Sequence, residues 1–547
     1  PVGRVGRLRR WSELHRTAST LLLFLALLLA AAPLVWGWRQ IAAESRRREA
    51  VSDARQRARD AHAERTDLRT RATTLEQELR SLDKRVEPWA AVDDPGKRRL
   101  LAGRNELAAL RRAANELGHA ARFAADEALE LAEGETDELE QERVEILRTV
   151  YLQAESDRDQ SAMRTWSDEL RSLGREDLLA GTGHLTLISQ PAGASVVIRK
   201  WVPGVDGRLV LDETPAYTGA TPIVDLELPL GSFVAHLEAP GYMTSNYPVL
   251  IERNQHWGHN SWHDGAFSSQ NWTIKLPRIA DVDSERWCLI HGGPFLGVTD
   301  QDATPEEGAT EWFWEDAFLI ERTETNYRRY GRFLDDADQR VLVWQSIVDE
   351  QPRYVPREGP PWKPLDTIAS SEDQDLDGAL KFAPFEKFLE LPVTGVSQRD
   401  AVDFAAWESE HSEYLHQLPS ARQWEKAARG VDGRPFPWGQ IFRRSFAHGP
   451  ADSSSKVTLD YEVGTMPSDE SPYGVRDLAG GVREWCRDGP ALQEEFVNPW
   501  LAGGDISSSC LNPIDFVVWP RIHRAFSDLY LSWGFRLVRE ATRKQAR

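Results

Sequence analysis

Residues 418–539 constrain the fold more than any other stretch, because turn formers alternate there with large aromatic side chains at a density that regular structure does not carry. Ser420 is placed to cap a short helix. Trp424, Ala427 and Ala428 recur in it at helical spacing, Glu425, Lys426 and Arg429 project elsewhere, and Gly430 stops it. Pro435, Pro437 and Gly439 then bar a hydrogen-bond ladder, so the rings of Phe436 and Trp438 must be held by packing alone. The chain has 21 Trp but 3 Met, a balance that suits rigid aromatic anchors better than a plastic aliphatic core. These residues predict a loop-rich domain pinned by aromatic rings.

The order of landmarks carries a resemblance. Leu418, Pro419 and Ser420 lead into Trp424, Glu425, Lys426 and Gly430; Pro437, Trp438 and Gly439 follow; then come Tyr473, Gly474, Asp477, Gly480, Glu484 and Trp485, and Gly534, Phe535 and Arg536 close the series. Upstream, Gly293, Phe295 and Gly297, then Glu324, Thr325, Asn326 and Tyr327, then Pro392, Val396 and Ser397 continue it. The set resembles the formylglycine-generating enzyme family, the sulfatase-modifying domain. That resemblance implies the family's variant of the C-type lectin fold over residues 285–540. It also implies Ca²⁺ near Glu484, although the family's Asn in that segment is Gly481 here.

The family's chemistry is implied less well. Its enzymes hold Cu(I) between two cysteines five residues apart, shortly after a Gly-Gly strand, and use O₂ to oxidise a substrate cysteine. Soft thiolates suit Cu(I). In this chain only Cys510 follows Gly503 and Gly504, and the positions five away on either side are Asp505 and Asp515, which are hard oxygen ligands. Cys288 and Cys486 read as small core residues. Cu(I) is therefore not expected, and Cys510 is the sole catalytic candidate. Enzymes of the ergothioneine-synthase type need a His-rich iron module upstream, where only His62 and His119 stand in the helical region.

Ahead of that domain the chain changes character three times. Five arginines in residues 1–16 precede an uncharged run, residues 17–38, of 22 residues; as a helix it would be about 33 Å long, against about 30 Å of bilayer core. It reads as a single-pass membrane anchor with Trp36 and Trp38 at the interface and the C-terminal bulk outside the cytoplasm. A cleaved signal peptide is the alternative, since Ala30, Ala31 and Ala32 would suit a peptidase. Residues 39–183 are rich in Ala, Arg, Glu and Leu. Leu68, Leu75 and Leu82 repeat at seven, with Ala72, Leu79 and Val86 at the other seam position, so a coiled-coil stalk and a homodimer through it are expected, with a plain helical spacer as the alternative. Residues 184–278 switch to alternation, with Leu185, Leu187 and Ser189 on one face, and resemble the PEGA domain, a small β-sandwich. The fold class expected is thus α+β: transmembrane helix, helical stalk, PEGA-like sandwich and lectin-like domain.

Three metal-binding patterns are readable. His256, His259, His263 and Asp264 could ligate Zn²⁺ or Cu²⁺, although a solvated hairpin tip explains them as well. Asp373, Asp375 and Asp377 before Gly378 fit the start of a Ca²⁺ loop whose closing Glu is missing. Glu484 is the third, by resemblance. Between Asp505 and Trp533 the apolar residues Ile506, Leu511, Phe516, Val517, Phe526, Leu529 and Tyr530, with Arg521, His523 and Arg524, suggest a ligand face on loops that Pro513 and Pro520 keep out of a sheet. The same 29 residues lack Glu, Lys, Gln and Met, as a retroelement-diversified binding protein on this fold would.

With 86 acidic and 66 basic residues, a net charge of −20 argues against nucleic acid as a partner. The chain begins with Pro1, and the order of its segments is similar to the extracytoplasmic halves of some bacterial transmembrane serine/threonine kinases, so a kinase is expected ahead of it. The expected function is a membrane-anchored, non-catalytic sensor of an extracytoplasmic ligand or protein. An active formylglycine-generating oxidase and a retroelement-diversified binder are the alternatives.

Overall fold

A computed structural model describes residues 16–83, 95–132, 136–259, 272–298, 310–336, 354–355, 363–364, 387, 389–449, 461–489, 499–504, 513–519, 522–523 and 532–540. Two compact units divide the chain, Pro1–Leu179 and Ala180–Arg547.

The first unit is helical: α1 (Arg16–Asp83), α2 (Pro95–Leu131), α3 (Asp137–Asp157) and α4 (Gln160–Ser172). Contacts between α1 and α2 run in opposite senses, Arg47 donating to the Leu131 carbonyl, Arg69 Nη2 to Asn115 Oδ1 (2.8 Å) and Arg111 Nη2 to Glu76 Oε2 (2.8 Å), so the two helices are antiparallel. Of the expected seam, Ala72 and Leu79 are buried, Leu68, Leu75 and Leu82 are half-buried, and Val86 lies outside the described residues. Ala58, Arg65, Ala72 and Leu79 recur at seven and are all buried, and Leu79 packs against the α2 backbone at Gly103, where a methyl group would lie 2.4 Å from its Cδ2. The seam that suggested a dimer is thus used by an intrachain helix pair. Helix α3 joins through Arg143, whose Nε lies 2.6 Å from Asp126, and Asp159 caps α4 by accepting from the Ala162 amide (2.9 Å). Among the described residues no helix is long and apolar enough to cross a membrane; the side chains of residues 17–19 and of Leu22, Leu23 and Ala26 fall outside them.

The second unit opens with nine strands: β1 (Thr182–Gln190), β2 (Ser195–Pro203), β3 (Leu209–Leu211), β4 (Tyr217–Ala220), β5 (Ile223–Pro229), β6 (Gly231–Glu238), β7 (Ser245–Ile251), β8 (His256–Trp257) and β9 (Thr273–Lys275). One sheet pairs β1 with β5, β8 and β9, and the other has the order β3-β2-β6-β7 with β4 also on β2. Alternation decides the buried face: Leu185, Leu187 and Ser189 of β1 and Val196 and Ile198 of β2 all point inward.

The chain then builds β10 (Trp287–Ile290), β11 (Gly293–Val298), β12 (Thr310–Glu315), β13 (Phe318–Glu321), α5 (Tyr327–Asp335), the short β14 (Tyr354–Val355) and β15 (Lys363–Pro364), α6 (Gln398–Glu410), β16 (His416–Gln417), α7 (Ala421–Arg429), β17 (Arg483–Trp485), β18 (Trp500–Ala502), β19 (Ile522–His523), β20 (Trp533–Gly534) and β21 (Val538–Arg539). One four-stranded sheet has the order β10-β13-β21-β16 and another β19-β18-β17-β20. Among the described residues of this domain few lie in strands, as the Pro and Gly content demands. Reciprocal capping boxes fix where the helices begin, Ser397 with Asp400 on α6 and Ser420 with Gln423 on α7. The sandwich and this domain share one apolar core running from Leu185 and Phe233 through Trp257 and Trp287 to Phe404 and Leu537.

Candidate functional site

Arg536 lies between β20 and β21, flanked by the fully buried Phe535 and Leu537. Its Nε donates to Glu484 Oε2 (2.7 Å) and its Nη2 to Glu484 Oε1 (2.6 Å), the two-pronged geometry that a planar guanidinium offers a carboxylate. Nη1 donates to the carbonyls of Glu321 and Arg322 (3.2 Å each), and Nη2 also to those of Arg476 and Asp477 (2.9 and 3.0 Å). From α7, Trp424 Nε1 donates to Glu484 Oε2 (2.8 Å). Burial opposes the charge of Arg536, but Glu484 outweighs it and raises the pKa. One cation thereby ties the end of β13, the 476–477 loop and β17 together.

Beside this staple lie three more buried carboxyls, Glu324, Asp469 and Asp477. Tyr461 donates to Glu324 Oε1 (3.2 Å), and the Gly464 amide donates to Asp477 Oδ2. Glu324 Oε2 and Asp477 Oδ1 lie buried without a hydrogen-bond partner, so two carboxyls compete for charge in one enclosure. Burial raises Asp477 to about 6, and burial followed by the Asp477 charge raises Glu324. Asp469 accepts from the Ala479 and Gly480 amides (2.9 and 3.1 Å), yet burial and then Asp477 push it up to about 8. Gly481 closes the site at φ 86°, where a Cβ would lie 2.4 Å from Tyr461 Oη and 3.0 Å from Glu324 Oε1. A side chain at that position would require this Tyr and Glu to move.

Reactive sulfur is lacking among the described residues. Cys288 donates to the Gly474 carbonyl (3.3 Å) and burial pushes its thiol up to about 11; Cys486 is fully buried, and burial raises its thiol too. Neither supplies the thiolate that a nucleophile or a Cu(I) ligand needs, so these two cysteines do not fit a copper site. Among the described residues no group of three or more His, Cys, Asp or Glu side chains is placed to hold a metal ion.

The positions singled out in the sequence divide three ways. Glu484, implied as a Ca²⁺ ligand, serves as the counter-ion of Arg536 and the acceptor for Trp424. Phe516 and Val517, expected on an exposed face, are core residues: Phe516 is 0% exposed and packs on Phe442 (5.2 Å), and the next residue, Val518, bonds through its amide to the Pro435 carbonyl (3.0 Å). This backbone bond pulls residues 516–519 inward over α7, where Arg429 stacks on Trp519 (5.0 Å). His523 lies on β19 opposite Trp500. His256 pairs with Thr186 Oγ1 (2.9 Å) and stacks on His259 (4.7 Å). Cys510, Ile506, Leu511, Arg521, Arg524, Phe526, Leu529, Tyr530, Asp373, Asp375, Asp377, His263 and Asp264 lie outside the described residues. The buried acids Glu324, Asp469 and Asp477 were not anticipated from the sequence; carboxylates embedded in apolar turn segments were the available signal.

Residues 276–541 match the family pattern of the sulfatase-modifying factor enzyme 1-like domain. The C-terminal domain belongs to that family. The chain is similar to the formylglycine-generating enzyme of Thermomonospora curvata, 29% identical over an alignment of 233 residues, with 36% of this chain and 70% of that protein covered. It is also similar to the serine/threonine-protein kinase pkn1 of Chlamydia caviae, 27% identical over 201 residues, 37% of this chain and 27% of the kinase. The matched part thus spans about a quarter of the kinase's length. Among solved structures, PvdO from Pseudomonas aeruginosa aligns with 46% of this chain and 94% of its own at 21% identity and a TM-score of 0.33.

Proposed function

We propose that this chain is a membrane-anchored, extracytoplasmic ligand-binding protein whose C-terminal domain keeps the scaffold of the sulfatase-modifying family without its oxidase chemistry. The observation that carries this reading is the sulfur inventory. Cys288 and Cys486 are buried thiols with raised pKa values, and Cys510 has no second cysteine five residues away. A one-thiol site cannot give Cu(I) the pair of soft ligands that the family's reaction needs. The similarity to chlamydial pkn1 kinases supports a place in a kinase-linked sensor, and the alternating β-sheets before the domain support a PEGA-like module. An apolar run at the start of α1, with Leu21, Phe24, Leu25, Leu28, Trp36 and Trp38 all more than half exposed, supports the membrane anchor.

Two measurements test the reading. The whole chain, incubated with Cu(I), O₂ and a sulfatase-type cysteine peptide, is expected to leave the cysteine intact by mass spectrometry; formylglycine above a Cys510→Ser control would establish the oxidase instead. A tag after Arg547 is expected to be cut by protease added to intact spheroplasts, and its protection would refute the topology.

A further inference from the structure

In the helical unit, Arg65 of α1 is 2% exposed and lacks a carboxylate of its own. Among the described residues its one hydrogen bond is a long donation from Nη2 to the Thr149 carbonyl (3.4 Å), and its Nε has no partner. Other inward guanidinium groups of the unit are paired with acids, Arg69 with Asp157, Arg122 with Glu169 and Arg143 with Asp126 and Glu169, although the Nε of Arg69 and of Arg143 also lacks a hydrogen bond. Asp157 is the acid whose charge reaches Arg65, but it is already shared by Arg69 and Arg111. Burial and then the Arg69 charge lower the Arg65 pKa to about 10, as an uncompensated cation requires. A buried charge without a counter-ion is costly, so its retention calls for an explanation.

Arg65 faces a cavity of about 170 Å³ at the meeting of all four helices. Asn115 and His119 of α2 and Ser161 and Thr165 of α4 give the wall polar groups, while Val150, Ala162 and Trp166 give it apolar ones. Gly118 leaves the guanidinium its space, because a Cβ there would stand 3.4 Å from Arg65 Nε and 3.0 Å from Val150 Cγ1. The 13-residue α4 starts at this cavity, so the positive end of its dipole adds to the same field. His119 and Ser161 are exposed, so the cavity has a mouth to solvent and the cation lies at its base.

We propose that this cavity is a binding site for a small organic carboxylate, whose anionic end pairs with Arg65 and whose short apolar body rests on Val150, Ala162 and Trp166. A single guanidinium balances one negative charge. Asp159, whose carboxylate accepts from the Ala162 amide on the same wall, opposes any anion there, and opposes inorganic phosphate, with nearly two charges at neutral pH, more than a carboxylate with one. The volume is several times the roughly 30 Å³ share of one water, which suits an acid of a few carbons. The site lies wholly within the helical unit, so it does not depend on the role of the C-terminal domain.

The test uses the whole chain in detergent, titrated with propionate, pyruvate and benzoate and, separately, with inorganic phosphate, and followed by calorimetry and ligand-observed NMR. Saturable binding of at least one carboxylate is expected. Arg65→Met should weaken it by about tenfold or more while leaving the unfolding temperature unchanged or higher, because an unpaired buried cation has become an apolar side chain. Should that variant fail to fold, Thr165→Phe, at an exposed lining position, should close the mouth and abolish binding with Arg65 in place. The proposal is overturned if no carboxylate binds at about 10 mM, a concentration that would detect millimolar affinity. It is equally overturned if phosphate alone binds, or if either folded variant binds as the original does.

Discussion

Arg536 and Glu484 show what a buried ion pair contributes at the scale of one residue. Both are almost fully enclosed, and every N–H of the guanidinium that points inward finds a carboxylate or a carbonyl. Glu484→Gln leaves the cation buried without its counter-charge, and a loss of about 3–5 kcal/mol in urea unfolding is expected. The neighbouring Asp477 has a folded pKa of about 6, above its ordinary 3.8, so the fold binds this proton more tightly than the unfolded chain does. Its contribution is therefore complete below about pH 4 and lost as the pH rises through 6. Asp477→Asn carries no charge at any pH. Its stability should fall less than that of the unaltered chain between pH 4 and 7, by about 2–3 kcal/mol, and identical pH profiles would show that Asp477 does not titrate in that range.

At the scale of elements, the short-range signals were the legible ones. Ser420 caps α7 as its place in the sequence suggests, Gly430 ends the helix at φ 73°, and the alternation of β1 sets its buried face. Ser420→Ala removes the acceptor for the Gln423 amide (3.0 Å) and should cost about 1 kcal/mol, read as a lower denaturation midpoint with unchanged slope. Partners were harder to read than elements. The heptad in α1 specified a buried seam, but a seven-residue repeat is satisfied by any apolar helix, and the returning α2 meets it before a second chain is needed. Phe516 ends a single 3₁₀ turn (Pro513–Phe516) and Val517 follows it, a stretch too short for periodicity to tell inside from outside, and the bond from Val518 to Pro435 reveals their direction. The carboxyl cluster draws on residues 324, 461, 469, 477 and 481, whose meeting depends on the path of the whole domain.

Across the whole second unit, the β-sandwich and the C-terminal domain are joined by contacts that neither would offer to solvent. The Leu209 amide donates to the Trp438 carbonyl (2.8 Å), Arg434 stacks on Trp201 (5.0 Å), and Trp257 meets Trp312 (6.1 Å). At the centre, His291 shares a hydrogen bond with Ser245 (2.7 Å) beside the edge of Tyr247, and its carbonyl accepts from Lys426 of α7 (2.7 Å). Burial first, then the Lys426 charge, lower the His291 pKa from 6.5 to about 3. Because the folded pKa is depressed, the stability it reflects is complete above about pH 6.5 and is lost as the pH falls towards 3. Two pH units below the ordinary value, that loss is about 3 kcal/mol. It falls on the joint, so mild acid should separate the two parts before either melts. Limited proteolysis near pH 4.5 is expected to cut close to residues 276–292, and His291→Gln, which keeps a polar partner for Ser245 but takes up no proton, should remain uncut there. Equal cutting of both proteins would mean that protonation elsewhere opens the molecule and that the joint is not its acid-sensitive point.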